Sequence, residues 1–270
     1  METMTLQQAA DRLGTHYMTV YRYVRLGRLP ARKVGGTWQV EESDVEALRR
    51  GDEQAVRPRP SADWSARLEA RMLEGDEAGA WGVVEAALTS ANTPSQIYTD
   101  LMVPALTSIG SRWHRGEVTI AQEHLATAVA MRLIGRLGPH FARKGRPKGV
   151  VVVTTPAEER HGIPSLIISD LLRGAGFQVL DLGTDVPPDS LGQILEQVDG
   201  LTAVCVSSSR LGADAAVRAT TSSIRSAVPG VPIFLGGASV GNVDHALELG
   251  GDGWAPDGPG AVDLVMGALA

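Results

Sequence analysis

Two short stretches carry the side chains best suited to chemistry. Residues 113–124 read WHRGEVTIAQEH: a Trp113-His114 pair, then Glu123-His124, within a largely helical stretch. Residues 154–164 read TTPAEERHGIP and place Glu159 two positions before His161, just after an apolar run. A histidine in such a loop can bind a metal through one ring nitrogen, while a carboxylate in reach of the other fixes its tautomer and raises its basicity. A solvated loop histidine has the same local sequence, so this pair alone does not decide. A core tryptophan and a solvated Glu-His face likewise remain open for residues 113–124.

Further along, Ser207, Ser208 and Ser209 end one apolar run, and Gly236-Gly237 ends another. Small residues at neighbouring strand ends either leave a slot for a flat or rod-shaped group or simply make turns.

The elements that must hold these residues are legible from periodicity. GVVVVTT, FQVLDLG, LTAVCVSSS and VPIFLGG are continuous apolar runs alternating with helical segments at 163–172, 191–198, 215–227 and 243–249. That alternation predicts a Rossmann-like, doubly wound parallel sheet over residues 148–270, with ligands at the carboxyl ends of the strands. Residues 63–143 keep helical spacing through Leu68, Met72, Trp81, Val84, Ile97, Leu101, Leu106, Leu125, Val129 and Leu133, which predicts a four-helix bundle. Residues 51–62 are polar and unpatterned, as in a linker.

Residues 1–50 predict two short helices followed by ARKVGGTWQV, a hairpin turning at Gly35-Gly36, and a last helix capped near Glu42-Ser43-Asp44. From Arg12 to Lys33 there are six Lys/Arg and no Asp/Glu, in a chain of net charge −6. Such a patch can neutralise phosphates. Thr19, Tyr21 and Arg22 fall on the outer face of the second helix; Arg25 belongs to the basic patch, and Arg32 and Lys33 lie at the base of the hairpin. The segment resembles the excisionase-like winged helix-turn-helix modules, cousins of the MerR type, which implies operator DNA as partner. Docking to a protein is the competing use of such a module.

The composition excludes several classes. The 270 residues are 43% hydrophobic and 21% charged, a globular profile. The single cysteine, Cys205, allows no disulfide within the chain and points to a reducing compartment. The first residues lack a signal-peptide core, and no apolar run approaches the roughly 20 residues that span a bilayer. The expectation is a cytoplasmic protein with no membrane partner. No catalytic carboxylate pair, Ser/His/Asp set, P-loop or zinc spacing stands out, so no enzyme is expected. His16, His140 and His245 have no evident partners.

The strand-end residues together resemble the cobalamin-binding domain family, whose hallmark is Asp-x-His-x-x-Gly, Ser-x-Leu and Gly-Gly after successive strands. The resemblance implies that His161 is the lower axial cobalt ligand with Glu159 orienting it in place of the aspartate, and that Ser207, Gly236 and Gly237 line the pocket for the cofactor's nucleotide tail. Pro164 stands at the motif's glycine and Ser209 at its leucine; a register using Ser209 and Leu211 would restore the serine–leucine pattern.

Trp113, Glu123 and His124 match the Trp-x9-Glu-His motif of the CarH-type light-sensing transcription regulators, with His114 at that family's histidine after the tryptophan. The domain order matches as well. The resemblance implies adenosylcobalamin held by Trp113 and Glu123, and His114 as the upper cobalt ligand once light has removed the adenosyl group. His124 matches without a derived role. It further implies a repressor whose dimer or tetramer and DNA affinity respond to light. A cobalamin-level sensor without photochemistry and a corrinoid methyl carrier are the other readings.

Overall fold

The computed structural model describes residues 3–15, 17–25, 29, 31–34, 37–49, 63–90 and 92–269. The chain divides into two compact units, Met1–Trp64 and Ser65–Ala270.

The first unit runs β1 (Thr3–Thr5), α1 (Leu6–Leu13), α2 (Tyr17–Arg25), β2 (Ala31–Val34), β3 (Thr37–Glu41) and α3 (Glu42–Arg49). Thr5 opens α1 through a capping box with Gln8, and Gly14 closes it in the left-handed conformation. β2 and β3 pair antiparallel with Val34 opposite Thr37. The predicted Gly35-Gly36 turn lies outside the described residues, as do the predicted linker 51–62 and His16. β1 adds to the other edge of β3, an element too short to show in the sequence. Leu6, Ala9, Ala10, Val20, Leu29, Val40 and Val45 form the core.

Thr19 is half-buried on α2 rather than fully outward. Tyr21, Arg22 and Arg25 lie on α2, and Arg32 and Lys33 on β2, but their side chains fall outside the described part of the structure. One member of the basic patch is reassigned: Arg12 pairs with Glu42 and, at 2.9 Å, with Glu46, and so ties α1 to α3. The acids that answer it sit some thirty positions away, outside the window in which the patch looked uncompensated.

The second unit joins a helical bundle to a parallel sheet. The bundle comprises α4 (Trp64–Glu74), α5 (Glu77–Thr89), the single turn α6 (Pro94–Gln96), a π-helical stretch Ile97–Met102, α7 (Val103–His114) and α8 (Ile120–Leu137). Pro104 accounts for the π turns: it offers no N–H and its ring crowds the carbonyl four residues back, so the helix widens and Val103 N–H reaches Tyr98 O. On α8, Ala126, Val129, Ala130, Leu133, Ile134 and Leu137 repeat at helical spacing and are buried. Leu125, predicted in the same apolar run, is 44% exposed because that run spans more than one helix face; it covers Gly75.

The sheet contains β4 (Val150–Thr154), β5 (Gln178–Asp181), β6 (Leu201–Ser207), β7 (Ile233–Gly236) and β8 (Gly253–Ala255), all parallel, in the order β5-β4-β6-β7-β8. The connecting helices are α9 (Ile163–Gly174), α10 (Pro188–Leu195), α11 (Asp214–Ala227) and α12 (Val243–Glu248), with α13 (Gly258–Gly267) closing the chain. Val152, Val204, Val206 and Leu235 face one core with Leu191, Val217 and Ala246. Val151, Val153, Cys205 and Phe234 face the other with Leu172 and Val265. Both faces are covered, which is why the strands read as unbroken β-branched runs. The order reverses between β4 and β6, so the crevice outside their carboxyl ends is where a ligand binds in such sheets.

A buried polar joint connects bundle and sheet. Tyr98 Oη donates to Asp170 Oδ2 at 2.6 Å, Arg173 donates to Asp170 Oδ1 at 2.9 Å, and the Tyr98 ring stacks on Phe141 at 5.1 Å. Burial, reinforced by this bond to the carboxylate, pushes the Tyr98 hydroxyl far above the usual tyrosine range. Replacing Tyr98 by Phe leaves a buried carboxylate oxygen without its donor. The expected loss is about 1.5–3 kcal/mol of unfolding free energy, read from the urea midpoint by tryptophan fluorescence. An unchanged midpoint would mean the joint adds nothing.

Candidate cofactor site

The loop after β4 is built around Glu159. Its side chain is 1% exposed, although it is a carboxylate. Oε1 accepts from the His161 backbone N–H at 2.9 Å and lies 2.5 Å from His161 Nδ1. Oε2 accepts from the backbone N–H groups of Ser209 at 2.6 Å and Arg210 at 2.8 Å. Burial pushes the Glu159 pKa up, but the backbone bonds from His161, Arg210 and Ser209 and the His161 side chain outweigh it and hold the group below the usual carboxylate range. The carboxylate therefore fixes the His161 ring and fastens the loop after β4 to the loop after β6.

Neighbouring backbone is strained in support. Glu158 and Asp185 both have positive φ, 65° and 57°. Glu158 N–H donates to Asp185 Oδ1, and Asp185 N–H donates to the Glu159 carbonyl and to Thr155 Oγ1. The loops after β4 and β5 are thus held together where left-handed conformations are costly for non-glycine residues.

With Nδ1 directed at Glu159, His161 keeps Nε2 for the space beyond; its side chain is 63% exposed. That space is a cavity of about 1450 Å³ between the bundle and the carboxyl ends of the strands. It exceeds the roughly 300–1,000 Å³ usual for small-ligand pockets. Trp113, His114, Glu123 and His124 line it from α7 and α8; His161, Ser207, Gly236 and Gly237 line it from the sheet. Eight of the nine predicted cofactor residues therefore meet around one space, and the ninth, Glu159, lies behind His161.

The wall on the sheet side explains the small residues. Ser207 and Gly236 are register partners on β6 and β7. A Cβ on Gly236 would meet the Ala255 carbonyl at 2.9 Å, and one on Gly237, where φ is 97°, would meet the Ser208 carbonyl at 2.2 Å. Pro164 and Ser209 also line the cavity, whereas Leu211 is 79% exposed and does not. Pro164 costs no hydrogen bond in the first turn of α9.

The wall on the bundle side is apolar yet uncovered: Val103, Trp113, Ile120 and Met131 are 43%, 41%, 60% and 51% exposed. Trp113 and His114 meet edge to face at 4.8 Å, and His114 Nδ1 lies 3.2 Å from the Gly110 carbonyl. Glu123 Oε1 accepts from Thr127 at 2.9 Å, and Oε2 lies 3.7 Å from His124 Nε2. A large flat group with a polar upper substituent fits this arrangement: an imidazole faces it from one side, and an apolar wall with one carboxylate faces it from the other.

Comparison with known proteins agrees. Residues 3–52 match a helix-turn-helix domain, and residues 64–137 and 149–263 each match a B12 binding domain. The chain is 31% identical over 203 residues to the HTH-type transcriptional repressor CarH of Myxococcus xanthus, covering 74% of this chain and 66% of the repressor.

The chain carries two B12 binding domains behind a helix-turn-helix domain and spans about two thirds of the CarH repressor it resembles.

It also matches trimethylamine corrinoid protein 2 of Methanosarcina mazei, 29% identical over 76% of this chain and 95% of that protein. The solved structure of the Methanosarcina barkeri monomethylamine corrinoid protein shares the fold, with TM-score 0.66 and 18% identity over 74% of this chain and 95% of that one. The chain is thus a cobalamin-binding protein that carries a helix-turn-helix domain. Among the described residues no helix is long and apolar enough to cross a membrane.

Several contributors were not legible in the sequence. Ser209 and Arg210 act through backbone N–H groups, which leave no side-chain signature. Tyr98 and Asp170 are 72 positions apart. Thr127 alone had a signal, four residues after Glu123 on one helix. His245, expected without a partner, lies 3.4 Å from Asp214 across the α11–α12 side.

The depressed Glu159 pKa has a consequence for stability. A carboxylate held below its unfolded value stabilises the fold fully above the ordinary carboxyl pKa of 4.5 and loses that contribution as acid protonates it. Glu159→Gln is expected to be less stable than the parent by about 1–3 kcal/mol at neutral pH. The gap should close below pH 4.5 in denaturation series run at several pH values; a gap independent of pH would contradict the assignment.

Proposed function

We propose that the chain is a cobalamin-dependent transcription regulator, a repressor that uses adenosylcobalamin to sense light. The observation that carries this reading is the placement of Trp113, His114, Glu123 and His124 on the cavity wall opposite His161. Adenosylcobalamin, when bound, supplies a cobalt–carbon bond that light cleaves.

The protein's residues do the rest. His161 would hold cobalt through Nε2, the nitrogen left facing the cavity because Nδ1–H donates to Glu159. Ser207, Gly236 and Gly237 receive the tail. Trp113 packs against the adenosyl group and Glu123 accepts from its ribose hydroxyls. His114 is prepared in the same way as His161: the Gly110 carbonyl takes Nδ1 and leaves the lone pair on Nε2. With Trp113 uncovered, α7 would shift and bring His114 inward, changing the bundle surface and with it the oligomer. Thr19, Tyr21, Arg22, Arg25, Arg32 and Lys33 are the candidate DNA contacts. One small winged helix buries little area on DNA, so dimers or tetramers bind the operator.

The test is DNA retention and particle size with adenosylcobalamin, in the dark and after green light. This reading predicts retention in the dark and release, with a change of size, on illumination. Retention that depends on cobalamin but is equal in dark and light identifies a cobalamin-level sensor instead. The corrinoid relatives favour a second reading, a methyl carrier, which would show methyl transfer from a supplied donor. His161→Ala is expected to lose imidazole ligation in the absorption spectrum, and Glu159→Ala to weaken cobalamin binding by about 10–100-fold. Unchanged spectrum and affinity would remove both residues from the site.

A further inference from the structure

Glu123 and Thr127 occupy successive turns of α8 on the cavity side. Thr127 Oγ1 donates to Glu123 Oε1 at 2.9 Å. Helix hydroxyls on this chain bond in several ways: Ser169 reaches the Asp181 side chain and Ser223 the Pro188 carbonyl. Thr89, Thr220 and Ser226 each bond the backbone carbonyl four residues back, at 2.8–3.0 Å, the common local choice for such side chains. Thr127 has the same option, the Glu123 carbonyl, and instead holds the Glu123 side chain.

The bond matters because little else restrains that carboxylate. Among the described residues, Thr127 is the one side chain within hydrogen-bonding distance of it. His124 Nε2 stands 3.7 Å from Oε2, too far for a hydrogen bond, on a side chain that is 75% exposed. The Glu123 side chain is 34% exposed at the cavity wall. An untethered glutamate there samples rotamers that carry its carboxylate into solvent or toward His124.

We infer that Thr127 is a positioning residue that holds Glu123 turned into the cavity, and so sets the preference for a cobalamin bearing a hydroxylated upper substituent over one bearing a methyl group. The inference rests on the proposed role of Glu123 as acceptor for the ribose hydroxyls. Oε1 is partly occupied by the threonine, so Oε2 is the oxygen left for ligand. The threonine methyl adds apolar wall beside Met131, and valine preserves the shape while removing the donor.

The experiment is dark binding of adenosylcobalamin and of methylcobalamin to the full chain, followed by absorption titration, for the parent, Thr127→Val, Thr127→Ser and Glu123→Ala. Thr127→Val should lose about tenfold in adenosylcobalamin affinity, as expected for a charge-assisted hydrogen bond, with methylcobalamin affinity unchanged. Thr127→Ser should restore the preference. If Glu123→Ala loses the preference and Thr127→Val keeps it, the positioning role is overturned while the reading of Glu123 stands. If Glu123→Ala also keeps it, that reading falls with it. Equal loss for both cofactors in Thr127→Val would mean a structural role only and would overturn the inference as well.

Discussion

One buried carboxylate organises the site. Taking Glu159 out of water would cost several kcal/mol if its charge were uncompensated. Three backbone N–H groups and an imidazole face it instead, and the fold must place all four. Its position therefore dictates how the loops after β4 and β6 run, and the positive φ angles at Glu158 and Asp185 are the local strain accepted to bring them there. The same bonds leave His161 one tautomer and one direction. Ser209 and Arg210 bond through their backbone, so the side chain at 209 is free to depart from the leucine of the family pattern without loosening the carboxylate. A glutamate, longer than the aspartate it replaces, keeps both oxygens within reach of both loops.

The second constraint is the orientation of α8. One face buries Ala126, Val129, Ala130, Leu133 and Ile134 against the bundle, and another presents Ile120, Glu123, His124, Thr127 and Met131 to the cavity. A helix that must satisfy both cannot rotate freely, so packing in the bundle aims the carboxylate. The Tyr98–Asp170 bond sits in the π-helical stretch just before α7, at the foot of the helix that ends in Trp113 and His114. That bond anchors the start of α7, and Arg112 near its far end donates to Glu69 of α4 at 2.6 Å, so the helix is held at both ends.

The sequence made much of this visible and for definite reasons. Buried parallel strands read as β-branched runs, so four of the five appear at once. β8 does not, because GWA is three residues long and carries no period. Trp113, His114, Glu123, His124, His161, Ser207, Gly236 and Gly237 could be singled out because their types and spacing are restrictive, and all eight line one cavity. Where the structure works through backbone groups, as at Ser209 and Arg210, or through distant pairs, as at Arg12 with Glu42 and Glu46, the sequence has nothing to display. The basic patch shows the hazard of judging charge within a window: its first arginine is answered from α3.

The central claim is that the imidazole oriented by Glu159 would hold cobalt, in place of the cofactor's own nitrogenous tail. The most direct measurement is the electron paramagnetic resonance spectrum of the protein loaded with cob(II)alamin and prepared with histidine carrying the spin-half isotope of nitrogen. The account predicts that the triplet splitting from the axial nitrogen becomes a doublet, and that His161→Ala abolishes this change. A triplet that persists in the labelled protein would assign the axial nitrogen to the cofactor's tail and contradict the account.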